Sequence, residues 1–435
     1  MKAPLLLLAS AALLATAPLS AGDDPTADAR ALVARYEAGG VTTSEELAAV
    51  AEALVHLGRE EPRRFHEALR VFDQAIAADP ENLDVRVALG DLFLAKYNGR
   101  DARETYEQVL ARDPGHPRAL LGLARVRRFD GATDVTDLVT QALAEDPDLV
   151  PARLLLARQH LDLEDYAAAD REAERALRAD PRSAEAHALL AASALLSGDE
   201  EELRRRLARL TEVAPGDPEP YVVLAEVAAR SRLYRRAVEL AGRAVELDRK
   251  SWRGWALAGV NRLRTGEIAR GRRDLETAFA GDPFDVWTKN TLDLLDAMAD
   301  DRVVESGRFE LVMPAAEADL LALYLAPLAE EAYDRLAARY GAALPTPIRL
   351  EVFPRHADFS VRTVGLVGLG ALGVSFGPVI AMDAPTATST GAPPSGTSSP
   401  TPSTCISPPT GCRAGSPRGW RSTRSAGRVR AGVTG

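Results

Sequence analysis

The sequence predicts a mostly α-helical protein: a helical solenoid, then a small incomplete α+β domain, then a disordered tail. Three observations carry this. Ala and Leu dominate the 435 residues while aromatics are only 5%, a bias that favours helix over an all-β sandwich. An Asp-Pro-like step recurs with a near-constant period. From residue 386 onward the chain contains no Leu, Lys, Asp or Glu. Hydrophobic residues at 46% and charged residues at 27% are enough to bury real cores, so wholesale disorder is excluded. A net charge of -10 argues against a nucleic-acid partner, which needs a basic face. Two cysteines exclude a disulfide scaffold and a multi-cysteine zinc module.

In chain order, Lys2 precedes an apolar run from Ala3 to Leu19, followed by Ser20, Ala21, Gly22, Asp23 and Asp24. A basic first step, a short apolar core and small residues read as a signal peptide over residues 1–22. The run is short for a bilayer span. The alternative is an uncleaved anchor. No Cys follows, so lipid attachment there is not available. Cleavage near Ala21 or Gly22 implies an exported protein, periplasmic or extracellular, with no other transmembrane candidate. Residues 27–48 are expected to form an N-terminal helical cap.

The repeat follows. Pro80, Pro114, Pro147, Pro181, Pro215, Arg249 and Pro283 are spaced 34, 33, 34, 34, 34 and 34 apart. Asp79, Asp113, Asp146, Asp180, Asp248 and Asp282 precede six of the seven positions. Small residues stand twelve before this step (Ala68, Ala102, Ala169, Ala237, Gly271). Ala75, Val109, Ala176, Ala244 and Ala278 stand five before it. Earlier in each unit, Leu89-Gly90, Leu123-Ala124, Leu156-Ala157, Leu190-Ala191, Leu224-Ala225 and Ala258-Gly259 hold one register. The pattern predicts two antiparallel helices per unit. Small residues let them approach, and the Pro ends the second helix. One unit cannot bury its apolar face alone, so units stack.

This pattern resembles the tetratricopeptide repeat (TPR) family. The resemblance covers about residues 49–285, roughly seven units, with 286–299 as a capping helix, so the array is placed at 49–299. Only the 33-residue unit around Gly131-Ala132-Thr133 departs, and its turn is expected to be altered. The resemblance implies a protein or peptide partner along a concave groove; a structural spacer is the alternative. There is no repeated Lys/Asn set of the kind that clamps a peptide carboxylate. Arg204-Arg205-Arg206 and the cluster Arg270, Arg272, Arg273 read as solvated helix faces.

After Asp301 the pattern changes, and residues 305–385 read as a mixed domain. Phe309–Met313 alternates as a strand. Pro314 to Tyr340 reads as one long amphipathic helix, with Leu320, Leu321, Leu323, Leu328, Ala329, Ala332, Leu336 and Tyr340 at helical spacing and Gly341 as its cap. Ile348–Phe353 is a second strand, His356–Val361 a short helix, and Gly373 to Met382 one or two further strands. Gly365-Leu366-Val367-Gly368-Leu369-Gly370 lacks the Lys-Ser/Thr ending and the strand-to-helix context of a phosphate loop. None of His56, His66, His116, His160, His187 and His356 lies four residues from another, so no metal-binding His pair stands on a helix. His356 is expected to be a surface or capping residue.

Phe309–Met313, the helix to Tyr340-Gly341, Arg349–Pro354, His356–Phe359 and Gly373–Gly377 to Ala381-Met382-Asp383 together resemble the opening of bacterial TPR-linked zinc metallopeptidases of the gluzincin type. In that family a later helix carries His-Glu-x-x-His, and a later Glu is the third zinc ligand. Those residues are absent here, so no catalytic or metal residue is assigned and no cofactor is expected for this chain. Residues 386–435 hold 25 Ser, Thr and Pro among 50 positions, with six Arg. Read one base early, Gly396–Thr401 permits Trp-His-Glu-Leu-Ala-His, and Arg413–Arg424 permits a segment containing Trp-Phe-Ser-Glu-Gly. Both halves of the zinc signature thus fit one shifted frame; the alternative is an ordinary Ser/Thr/Pro-rich disordered tail. Cys405 and Cys412 cannot replace the zinc ligands. The sequence therefore implies an exported TPR scaffold with a truncated, inert metallopeptidase-like domain, or an active zinc peptidase where the frame is restored.

Overall fold

The computed structural model describes residues 25–132 and 134–388. The expected signal peptide, Thr133, Cys405, Cys412 and nearly all of the expected tail lie outside the described residues. The helical part opens with α1 (Pro25–Glu37). Seven antiparallel pairs follow: α2 (Ser44–Leu57) with α3 (Arg64–Ala78), α4 (Leu83–Ala95) with α5 (Gly99–Leu110), α6 (Pro117–Phe129) with α7 (Thr136–Glu145), and α8 (Val150–Asp162) with α9 (Tyr166–Ala179). The remaining pairs are α10 (Ala184–Ser197) with α11 (Glu200–Val213), α12 (Glu219–Arg230) with α13 (Tyr234–Leu247), and α14 (Trp252–Thr265) with α15 (Ile268–Gly281). A last helix, α16 (Val286–Ala297), closes the run.

The repeat chemistry acts as the period implies. Ala68, Ala75, Ala102, Ala176, Ala237 and Ala244 are fully buried between paired helices. Tyr106 of α5 lies in a slot made by two helical glycines. A Cβ on Gly122 would stand 2.4 Å from its ring, and one on Gly90 2.7 Å. First helices are commonly capped by a side chain: Asn82, His116 and Ser183 each accept from the backbone N–H three residues on, which satisfies one of the free donors of the first turn.

Three details differ from the sequence expectation. The 48/49 boundary falls inside α2, because Thr43 accepts from Glu46 N–H and starts that helix earlier. The 33-residue unit is altered at α7, which is only 10 residues long. The turn within six of the seven pairs, all but α2–α3, also has a left-handed residue that the pattern did not reveal. Gly131, Gly198 and Gly266 hold it in three units, and Tyr97, Glu164 and Arg232 hold it in the other three, all at φ 63.

The mixed region comprises β1 (Arg302–Ser306), β2 (Phe309–Met313), α17 (Ala315–Tyr340), β3 (Ile348–Arg355), α18 (His356–Val364), β4 (Gly373–Ser375) and β5 (Val379–Thr388). The sheet order is β1-β2-β3-β5-β4; β2, β3 and β5 are parallel and the outer strands antiparallel. The expected start at 305 falls inside β1, a short strand of sequence Arg-Val-Val-Glu-Ser that alternation did not single out. β5 continues to Thr388, into the segment expected to be unfolded. α17 covers one sheet face through Ala318 and Leu321, over Leu311, Met313, Leu350 and Val352. The other face packs on α18 and the array through Phe353, Phe359, Val379, Tyr234 and Leu294.

α17 also corrects the expected apolar face. Leu320, Leu323, Leu328, Leu336 and Tyr340 are exposed. The sheet-facing side is mostly Ala, because a helix lying close on a sheet needs small residues at the contact.

Candidate interaction site

Contacts that skip a repeat form only on the inside of a coiled array, so they mark its inner face. Arg158 of α8 pairs with Glu185 of α10 at 2.8 Å and with Glu226 of α12 at 3.4 Å. Arg253 of α14 pairs with Glu219 at 3.0 Å and also with Glu226. Asp162 of α8 takes Arg128 of α6 at 2.8 Å and Arg230 of α12 at 3.5 Å. The Arg158, Glu226 and Arg230 side chains are each no more than 9% exposed. Burial opposes the charge on Glu226, but Arg253, Arg158 and Arg230 outweigh it and hold the carboxyl below its ordinary range. Burial likewise opposes the Arg158 charge, and Glu185 and Glu226 restore it. Arg230 is less well matched: burial lowers it, and its Nε and Nη2 have no hydrogen-bond partner.

The inner face is therefore filled by its own ion pairs, and the first and last units meet. Trp287 of α16 sets its ring edge-on to Tyr97 at 4.8 Å and Phe129 at 5.3 Å. Phe284 meets Phe65 at 5.7 Å. Lys96 pairs with Asp282 at 3.3 Å while lying 3.7 Å above the Phe65 ring. Lys250 reaches Glu60 at 2.7 Å, and the Trp252 indole N–H donates to the Arg59 carbonyl at 2.9 Å. Tyr97 is one of the left-handed residues, a conformation a bulky side chain holds only against strain. Here that backbone accompanies the ring contact on Trp287.

A cleft of about 280 Å³ opens at this seam, lined among others by Phe65, Lys96, Tyr97, Glu219, Trp252 and Arg253. Burial pushes the Lys96 ammonium down, partly offset by Asp282. Ser251 also lines the cleft; its buried Oγ has no hydrogen-bond partner. Aromatic faces, both charge signs and an orphaned hydroxyl suit a peptide-like segment, which brings apolar side chains, backbone donors and acceptors, and charges together. The expected open concave groove is thus replaced by a closed inner face with a cleft at its seam.

The other residues singled out by sequence sit elsewhere. Arg205 and Arg206 pair with Glu202 on their own helix, Arg270 pairs with Glu267 and Arg272 with Glu276. The glycine-rich segment follows α18 rather than leading into a helix. Gly365 caps α18 in the left-handed conformation against Trp287, and its carbonyl accepts from Asn290 at 3.0 Å. His356 is not a plain surface residue. Its Nδ1 lies 2.7 Å from Asp383 and its Nε2 2.6 Å from the Leu369 carbonyl, and the Asp383 hydrogen bond raises its pKa. Its partner lies 27 residues away on β5, so local spacing could not reveal it. Among the described residues no group of three or more His, Cys, Asp or Glu is placed to hold a metal ion. No described helix is long and apolar enough to cross a membrane.

Two models of the tetratricopeptide repeat match the chain, over residues 61–126 and 154–218. These two segments are tetratricopeptide repeats. The segments so matched include the seam residues Phe65 and Lys96 and the buried Arg158 with its partner Glu185. A tetratricopeptide repeat protein from Parabacteroides merdae is similar at 18% identity over 62% of this chain and 98% of its own, with a TM-score of 0.39. A thermophilic TPR protein of Thermus thermophilus is similar at 20% identity over 42% of this chain and 99% of its own, with a TM-score of 0.35. No curated protein sequence matches the chain.

Proposed function

We propose that this TPR protein is an exported interaction scaffold that takes a peptide segment of a protein partner at the seam between its first and last units. The observation that carries this reading is the cleft of about 280 Å³ with Trp252, Lys96 and the orphaned Ser251 hydroxyl on its walls. A displayed library of random peptides, selected on the full chain and counter-selected on a Trp252→Ala, Lys96→Ala variant, tests it. Enriched peptides that lose binding to the variant support the seam. Peptides that bind both equally, or no enrichment, refute it. Export rests on the apolar run Ala3–Leu19; a reporter fusion that stays in the cytoplasm would refute that part.

A second reading concerns residues 305–385. We infer that they are the opening of a gluzincin-type metallopeptidase domain interrupted before its zinc helix, inert in this chain and active with zinc in a frame-restored parent. What favours this is the tail composition together with the two linked zinc-signature segments in one shifted frame. Among the described residues no group of three or more His, Cys, Asp or Glu is placed to hold zinc. The test is paired. Bound zinc and peptide hydrolysis are measured for this chain and for a version with the frame restored near codon 386. Zinc retention or hydrolysis by the unrestored chain would overturn the inert reading. Neither property in the restored version would overturn the family resemblance.

A further inference from the structure

The seam joins two ends that are cored separately. Residues from Ala29 to Leu92 form the core of the first units, and among the described residues that cluster takes only Phe284 from the last ones. Residues from Leu154 to Ala258 share another continuous core. The ties between the two ends are thin by comparison. Lys250 and Glu60 are 52% and 34% exposed, and a pair so open to water holds weakly. Beside it stand the Lys96–Asp282 pair, the Trp252 indole bond to a carbonyl and edge-on rings, each a modest attraction.

The cleft exists only where these two ends meet. Its lining divides into residues 26, 55–60, 65 and 95–97 from the first units and residues 218–219, 248, 250–253 and 281–282 from the last. Lys96 meets Asp282 and Glu60 meets Lys250 across it, so drawing the ends apart removes one wall and its charge partners together. Trp287 and Phe129 stand differently. Their rings lie 5.3 Å apart, edge-on, and tie α16 to α6, yet neither lines the cleft. They can act on a bound peptide only through the closure.

We propose that the array is a ring that opens at this seam, and that a peptide seated in the cleft closes it. The proposal rests on the seam reading above and adds its regulation. A peptide spanning both walls finds a whole site in the closed form and half a site in the open one, so it draws the population towards closure. Its apparent affinity scales with the closed fraction. Loosening the ties therefore weakens binding without touching the peptide, and Trp287 and Phe129 are positioning residues for this site.

The test uses the full chain and a labelled peptide enriched in the selection described above, with binding read by fluorescence anisotropy. Closure is read separately in the free chain, as the yield of a carbodiimide cross-link between Lys250 and Glu60 measured by mass spectrometry. Trp287→Leu and Phe129→Leu remove the same contact from opposite sides. Each should lower the cross-link yield and weaken the peptide about tenfold, with the circular dichroism spectrum unchanged. Once cross-linked, Trp287→Leu should bind as tightly as the cross-linked native chain, because the covalent bond supplies the closure. If both variants keep native binding or native cross-link yield while Trp252→Ala, Lys96→Ala loses the peptide, the seam site stands and the closing ring falls. If the variants bind weakly and cross-linking restores nothing, their effect is local packing, and the proposal falls too. If no peptide is enriched, or the Trp252→Ala, Lys96→Ala variant binds it equally, the site reading itself fails and takes this proposal with it.

Discussion

The inner face of the array and the outer face of α17 invert the usual arrangement of a folded protein. Inside, Arg158 and Glu226 are buried as ions and Arg253 is half-buried beside them; outside, Leu320, Leu323 and Leu328 stand in water. The difference lies in what each surface meets. The array curves until its own units face one another, so charges on successive first helices find partners two repeats away. α17 is pinned to the sheet on one side only, and nothing in the described chain returns to cover the other. Residue type alone therefore does not tell inside from outside in this molecule; tertiary closure does.

The largest expected effect tests the inside. Glu226→Ala leaves Arg158 and Arg253 without their shared carboxylate, and removing one member of a buried ion pair costs about 3–5 kcal/mol. Denaturant unfolding of the full chain should show that loss. A change below about 1 kcal/mol would mean that water already reaches this site, and the closed inner face would be wrong. The carboxyl is held low, so its stability contribution is present above the ordinary Glu value of 4.5 and is lost as pH falls through its lower folded value.

The seam comes next. Lys250 and Glu60 are 52% and 34% exposed, so Lys250→Ala should cost no more than about 1 kcal/mol. The shape should respond more than the stability. Small-angle scattering at high salt, or with Lys250→Ala and Lys96→Ala combined, should report a larger radius if these pairs hold the ends together. An unchanged radius would assign the closure to Trp287 and the aromatic contacts instead.

How much of this was legible follows the range of each signal. The small residues at Ala68, Ala75 and Ala102 carried the helix pairs, because a packing constraint repeated every 34 residues leaves a periodic trace. The left-handed turn position was only half visible: Gly131, Gly198 and Gly266 mark it, but Tyr97, Glu164 and Arg232 hide it. On α17 helical spacing showed a helix but merged two faces: it counted Leu321 and Ala329, which pack on the sheet, together with Leu320 and Leu323, which are exposed, and passed over Ala318. The seam left no trace at all. Lys250 and Glu60 are 190 residues apart, and no pattern along the chain links them.

His356 provides a further test at the junction between sheet and array. As imidazolium it donates to Asp383 and to the Leu369 carbonyl together, holding β5 and the glycine-rich segment to the start of α18. Its pKa is raised from 6.5, chiefly by the Asp383 bond. A raised folded value means the stabilisation is complete below 6.5 and is lost as pH climbs through the folded value. Amide exchange in residues 365–372 should therefore quicken as pH rises above 6.5, beyond the intrinsic base catalysis seen in an unfolded control. His356→Gln should abolish that excess. A pH-independent protection factor would show that Asp383 does not govern this segment.

The smallest effect is the sharpest for the comparison. Leu323→Gln and Leu328→Gln remove large apolar side chains, a change that costs about 2–5 kcal/mol in a packed core. Here both residues are more than half exposed, their removal opens no cavity, and Gln is about as good a helix former as Leu. The expected change in unfolding free energy is within about 0.5 kcal/mol. The two substitutions thus pair with Glu226→Ala as an inverted control, with the polar loss costly and the apolar loss nearly silent. A loss above about 2 kcal/mol from the leucine changes would mean the outer face of α17 is already covered in the free chain, by a second copy or by residues beyond Thr388. Repeating the measurement across a range of protein concentrations separates those two, because only self-association makes the unfolding midpoint depend on concentration.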